Sequence, residues 1–222
     1  MIEGKNIKRT FVNGKIVTPV LKGIDITIKE GEFVAIMGRS GAGKSTLLYQ
    51  LSLLDTPTEG EILLNGKDTS KMSQSQKTVF RLKNLGFVFQ DYALIPELTA
   101  EENVALPLIM QNIPKLEAYA KAHEVLASVG LEGRHTNLPS QLSGGEQQRV
   151  SIARSIVHKP AIIFADEPTA NLDKASADNV IQILKDISKK SNQTIVMVTH
   201  EEEYGKMADR IVFLGDGKIE NI

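Results

Sequence analysis

The sequence predicts an α/β protein built on a mostly parallel sheet, with an N-terminal antiparallel β segment and an inserted helical segment. Three features of the chain point there. Short apolar runs, Phe33–Met37 (FVAIM), Ala161–Ala165 (AIIFA), Thr194–Thr199 (TIVMVT) and Ile211–Leu214, read as strands, the first with the continuous apolarity of a buried parallel strand. Helical stretches at Lys44–Leu54 and Ala175–Lys190 alternate with them, the pattern of a parallel sheet with crossover helices. Between about residues 91 and 159 no β-like run occurs, and apolar residues such as Ala118, Ala122, Val125, Leu126 and Val129 recur at helical spacing.

The elements follow in order. Asn13-Gly14 between Lys8–Val12 and Lys15–Leu21 is a two-residue hairpin signal. Ile24, Ile26 and Ile28 alternate with Asp25, Thr27 and Lys29, the period of a half-buried strand. Glu30-Gly31 turns the chain into Phe33–Met37, and Glu61–Leu64 and Phe87–Phe89 read as further short strands. In parallel sheets of this kind ligands bind beyond the C-terminal ends of strands, so the loops after these runs are where chemistry is sought.

Composition narrows the function classes. The 222 residues carry 26 Lys plus Arg against 27 Asp plus Glu, a formal net charge of -1, without the basic excess of a nucleic-acid binder. There is no cysteine, which excludes disulfides, thiolate metal sites and thiol catalysis. Neither a signal-like run in Met1–Lys8 nor a membrane-length apolar stretch is present, so a cytoplasmic location is expected, with any membrane work done through a partner.

The chemistry-bearing loop is Gly38-Arg39-Ser40-Gly41-Ala42-Gly43-Lys44-Ser45, a GxxxxGK[ST] phosphate loop that follows an apolar strand and opens a helix, the context the motif requires. Its glycines let the backbone N–H groups close around phosphates, and the positive end of the helix dipole adds to the cradle. Lys44 supplies a mobile charge for the β- and γ-phosphates, Ser45 a hydroxyl for Mg²⁺, and Thr46 a contact to the α-phosphate. The competing reading is a tight strand–helix turn that binds nothing.

Asp166-Glu167 closes the run Ala161–Ala165. Asp166 is assigned to Mg²⁺ and Glu167 to the general base that polarises the attacking water. Alone, two carboxylates at a strand end are a weak signal that solvation also explains. His200 stands in the same way after TIVMVT. Of the other histidines, His123 and His135 sit in polar surroundings and read as surface residues, and His158 falls at a helix end.

Leu142-Ser143-Gly144-Gly145-Glu146-Gln147-Gln148 is the most specific string. It resembles the LSGGQ signature of ATP-binding cassette (ABC) ATPases, and the residues above match that family in order. Gly38–Ser45 matches Walker A, Gln90 the Q-loop glutamine, Asp166-Glu167 Walker B with its catalytic glutamate, Asn171-Leu172-Asp173 the D-loop, and His200 the switch histidine. The resemblance implies a P-loop NTPase of ABC ATPase type. Residues 1–90 and 160–222 would form the β and RecA-like core of a single domain, and about 91–159 its helical subdomain. It implies ATP hydrolysis with Mg²⁺ held by Ser45, Gln90 and Asp166, and catalysis by Glu167, His200 and Lys44. It also implies a head-to-tail dimer in which Ser143, Gly144 and Gly145 reach the partner's nucleotide and Asp173 couples the two sites. Local physics agrees, since a serine and glycines opening a helix make a phosphate-binding end; a plain serine cap is the simpler alternative. The family's adenine-stacking tyrosine is replaced here by Phe11, which stacks on adenine or packs in the hairpin.

The run from Asp91 to Pro107 resembles one branch of the family, which serves lipoprotein release, macrolide export and antimicrobial-peptide resistance. That branch implies an integral membrane permease partner at the cytoplasmic face of the membrane. Tyr92, Leu94, Ile95 and Leu98 are apolar candidates for its contact, or for packing within the helical insert. A soluble ABC ATPase outside transport, such as one serving iron–sulfur cluster assembly, is the alternative function.

Overall fold

The structure is a computed structural model that describes residues 1–220. Two sheets form it. The first is antiparallel, in the order β2-β1-β4-β5, from β1 (Ile2–Asn13), β2 (Ile16–Ile28), β4 (Glu59–Leu64) and β5 (Lys67–Asp68). Asn13 pairs with Ile16, so the loop is Gly14-Lys15, one residue beyond the Asn13-Gly14 signal. A glycine at the first central position, with φ of 60°, supplies the left-handed residue the turn needs.

The second sheet has the order β10-β9-β3-β8-β7-β6, from β3 (Phe33–Met37), β6 (Leu85–Val88), β7 (Ile162–Asp166), β8 (Thr194–Val198), β9 (Arg210–Gly215) and β10 (Lys218–Glu220). Its pairs from β9 through β6 are parallel, and β10 closes an antiparallel hairpin on the edge. The continuous apolar runs are explained by cover on both faces. Phe33, Ala35, Met37, Ile163, Ala165, Ile195 and Met197 join one core cluster, while Val34, Ile36, Ile162, Phe164, Val196 and Val198 join the other. Each fully buried Val, Ile or Phe side chain contributes about 1.5–3 kcal/mol.

The second cluster packs α1 (Lys44–Leu51) and the antiparallel sheet against the parallel one. The first cluster runs without a break from the sheet into α3 (Ala100–Met110), α4 (Lys115–Ser128) and α5 (Gly144–Ile156). Ala118, Ala122, Leu126 and Val129 of the helical stripe are buried, and Val125 is partly so. α6 (Lys174–Ser191) covers the same sheet face through Ala177, Val180, Ile181 and Leu184.

Besides the edge strand β10, three further elements among the described residues have no counterpart in the sequence pattern. α2 (Gln74–Asn84) buries only Lys77 and Phe80, too few positions for an apolar stripe, and rests on a capping box between Ser73 and Gln76. β5 and the single turn of α7 (Glu202–Gly205) are too short to show a period. Among the described residues no helix is long and apolar enough to cross a membrane.

Candidate active site

The parallel strands deliver their loops to one edge. β3 ends at Met37 and the chain turns through Gly38–Gly43 into α1. At Gly38, φ is 149° and a Cβ would lie 2.0 Å from the Leu214 carbonyl oxygen, so only glycine lets the loop lie against β9. Lys44 is buried, and its ammonium donates to the carbonyls of Gly38 (3.0 Å) and Arg39 (3.2 Å), bridging the rim of the loop. Arg39, Ser40 and Gly41 are exposed, Ala42 is buried, and Thr46 lies half-buried in the first turn of α1.

Strand order brings the acidic residues to this loop. Asp166 ends β7, and its carboxylate accepts the Ser45 hydroxyl at 2.9 Å. Glu167 follows with φ of 45°, an uncommon left-handed conformation for a side-chain-bearing residue, held by its N–H bond to the Val198 carbonyl at 3.0 Å. That turn carries its carboxylate to His200 at the end of neighbouring β8. The Glu167 carboxylate lies 2.9 Å from His200 Nδ1 and accepts the His200 backbone N–H at 3.3 Å. With Nδ1 engaged, His200 Nε2 has no partner among the described residues, and the imidazole is 60% exposed. Tyr49 of α1, which the sequence pattern did not single out, joins this group. Burial, then the Asp166 carboxylate beside it, pushes its phenol up to about 12.

The cleft over the loop holds about 1070 Å³, lined by Gly38–Ala42, His200, Phe213, Gly215 and Asp216. The second constellation lies elsewhere. Ser143 is exposed and caps α5, its hydroxyl accepting the Glu146 N–H at 3.3 Å while its own N–H donates to the Glu146 carboxylate at 2.9 Å. Gly144 and Gly145 open the helix behind it. Asp173 caps α6, accepting the N–H (3.0 Å) and hydroxyl (2.7 Å) of Ser176, which hold its carboxyl below the ordinary range.

Residues with no role of their own in the sequence pattern tie these parts together. Gln148, fully buried on α5, donates to the carbonyls of Pro168 (2.7 Å) and Phe89 (3.4 Å). Arg154, also on α5, donates to the carbonyls of Ala93 (2.6 Å) and Tyr92 (2.9 Å), two residues with left-handed φ of 47° and 64°. Asn171 donates to the Gln90 carbonyl at 3.0 Å, and the Gln90 side chain is exposed. Leu94 packs on the helical core, Tyr92 reaches the Asn171 carbonyl at 3.4 Å, Leu98 is half-buried and Ile95 is exposed. Phe11 is 43% exposed on β1 beneath the Arg9 guanidinium, 4.5 Å from the ring centroid, so it is outside the core.

Residues 21–170 match the ABC transporter family. The chain is 50% identical to an ABC transporter ATP-binding protein of Methanocaldococcus jannaschii, covering 100% of this chain and 99% of that one. It is 44% identical to the lipoprotein-releasing system ATP-binding protein LolD of Psychrobacter arcticus, over 100% of this chain and 98% of that one. It is 45% identical to the macrolide export ATP-binding/permease protein MacB of Marinobacter nauticus, spanning 34% of that longer protein. A dimeric ATP-binding cassette solved in a post-hydrolysis state with ADP and Pi superposes with a TM-score of 0.93 at 43% identity, covering 100% of this chain and 97% of that one.

Proposed function

The chain belongs to the ABC transporter family, as an ATP-hydrolysing subunit, and from that premise we propose that its site is completed by a second copy. Each ATP is held between Gly38–Thr46 of one copy and Ser143–Gly145 of the other. The observation that carries this reading is the separation of the two constellations. The cleft over the phosphate loop is lined by loop residues and His200 but by none of Ser143, Gly144 or Gly145, and Ser143 stands exposed at a helix N-terminus. A helix start with a free face is a ready anion-binding end, and here it stands outside the cleft over the phosphate loop of its own chain.

Within the site each residue has a distinct task. Lys44 moves its ammonium from the loop carbonyls to the β- and γ-phosphates. The N–H groups of Arg39–Ser45 cradle the phosphates, and Thr46 reaches the α-phosphate. Phe11, exposed on β1, stacks on adenine. Glu167 accepts a proton from the attacking water, and His200, tied to it through Nδ1, presents Nε2 to the γ-phosphate. Asp173 lies at the interface and couples the two sites.

Ser45, Asp166 and Gln90 offer only oxygen donors suited to a hard cation, and the first two already lie 2.9 Å apart, so the residues fit Mg²⁺. When bound, Mg²⁺ neutralises charge on the β- and γ-phosphates.

The LolD and MacB names of the relatives favour a transport role in their branch over iron–sulfur assembly, with a permease partner at the cytoplasmic face of the membrane. A groove of about 280 Å³ beside the Q-loop, lined by Leu54, Leu82, Phe87, Phe89, Ala93 and Pro107, fits a short apolar helix of that partner.

The shared site is tested by hydrolysis at varied protein concentration. ATP turnover per chain rises with concentration, and Ser143→Arg removes that rise while leaving ATP affinity, read by calorimetry, unchanged. Turnover independent of concentration in a chain that stays monomeric overturns the shared site.

A further inference from the structure

Outside the nucleotide site, two histidines and a carboxylate converge on the helical segment. We propose that Glu101, His123 and His135 form a site for a zinc-class divalent cation. Their ligand atoms all lie within 4.8 Å of one another. Glu101 stands in the first turn of α3, His123 on the outer face of α4, and His135 on the connection leading to the signature. The His123 Nε2 and a Glu101 carboxylate oxygen are in direct contact, and the two imidazole centroids are 4.6 Å apart.

The backbones that carry these side chains are fixed. The N–H groups of Ala100 and Glu101 donate to the carbonyls of Asn137 (2.8 Å) and His135 (3.0 Å), which pins the connection to the start of α3. Ala122, next to His123, is fully buried in the core that α3 and α4 share. Ligands about 2.0–2.2 Å from a tetrahedral ion lie roughly 3.3–3.5 Å from one another, so side-chain rotation alone closes the set.

The donors select the ion. Two neutral imidazoles and one carboxylate suit Zn²⁺, Co²⁺, Ni²⁺ or Cu²⁺ and not Mg²⁺ or Ca²⁺, which take oxygen ligands. Three protein ligands leave one position for water, and the 47% exposure of His123 gives the ion a route in. A bound ion joins α3, α4 and the connection. That connection is in turn anchored to the signature helix by Arg134, 3.1 Å from the Glu146 carboxylate that caps with Ser143.

The test is calorimetric titration of metal-free, nucleotide-free protein with Zn²⁺, with Co²⁺ absorption in the visible as a second readout. The His200→Ala variant serves as a parallel background, because His200 and Glu167 are a rival pair of ligands. The expected result is one equivalent bound in both wild type and His200→Ala, with a Co²⁺ spectrum of low coordination number. His123→Ala and His135→Ala should each weaken binding by at least about tenfold, the lower end of what losing even an outer-shell partner of a metal ligand costs. Both variants replace side chains outside the core, and an unchanged metal-free thermal midpoint shows the fold intact. No stoichiometric binding, binding lost in His200→Ala alone, or binding untouched by both His123→Ala and His135→Ala overturns the site.

Discussion

Replacing Glu167 by glutamine isolates proton abstraction from everything else the residue does. The carboxylate has two structural duties, to accept the His200 backbone N–H at 3.3 Å and to hold His200 Nδ1 at 2.9 Å. The glutamine amide keeps one oxygen that accepts both when Nδ1 carries the proton, so His200 stays in place and the left-handed turn at 167 is unaltered. What is lost is the base that Glu167 is proposed to be. General-base catalysis contributes about 10²–10⁴-fold, which is about 2.7–5.4 kcal/mol of barrier at about 1.36 kcal/mol per tenfold. Phosphate release at saturating MgATP should fall by that factor while ATP affinity holds, and with release blocked the ATP-bound dimer should accumulate on size exclusion. Glu167→Ala removes the anchor of His200 as well and should fall at least as far, with the thermal midpoint also shifted. A kcat for Glu167→Gln within about threefold of the parent, under about 1 kcal/mol of barrier, refutes the assignment.

Two further outcomes follow from groups the sequence pattern did not reveal. The Tyr49 phenol, raised from 10.0 to about 12 by burial and the Asp166 carboxylate, keeps its proton in the folded state after the unfolded chain has lost it. The stabilisation is complete below pH 10 and is lost as pH rises from there to about 12, so Tyr49→Phe should lose stability less steeply across that window in denaturant titrations; equal slopes would remove Asp166 and burial as the cause. Arg154→Lys cannot reach both the Tyr92 and Ala93 carbonyls as a fork, and loses a charged hydrogen bond of about 1.5–3 kcal/mol. At about 2–4 °C per kcal/mol for a chain of this size, the thermal midpoint should drop by about 3–12 °C in calorimetry; an unchanged midpoint would mean that the fork holds nothing.

What was legible in the chain was local. The phosphate loop shows itself because strand, glycines, lysine and helix are contiguous, and Gly38 has to be glycine for a reason the sequence does not contain, the Leu214 carbonyl of β9. Asp166, Glu167 and His200 stand out as polar residues at the ends of apolar runs, but their meeting depends on β8 lying between β3 and β7, and strand order leaves no periodic trace. Gln148, seen only as the end of the signature string, and Arg154 had no assigned role, for the opposite reason. They look like ordinary polar residues of a helix, and their partners are backbone carbonyls of Phe89, Tyr92, Ala93 and Pro168, distant in the chain and of any residue type. His123 and His135 read as separate surface residues until α4 packs on α3 and the connection docks on the start of α3, which brings their tilted rings to 4.6 Å between centroids.

These carbonyl contacts give the helical segment its mechanical sense. One helix, α5, carries the signature at its N-terminus, grips the segment after Walker B through Gln148, and grips the Q-loop turn through Arg154. Asn171 then ties the D-loop back to Gln90, so the D-loop, the Q-loop turn and the groove beside it hang from the same rod. A displacement of α5 therefore cannot leave the Q-loop turn where it was without breaking two hydrogen bonds to the half-buried Arg154 guanidinium, at about 1.5–3 kcal/mol each. That cost exceeds thermal energy several times over, so a shift of the signature end is expected to carry the turn at Tyr92 and Ala93 with it.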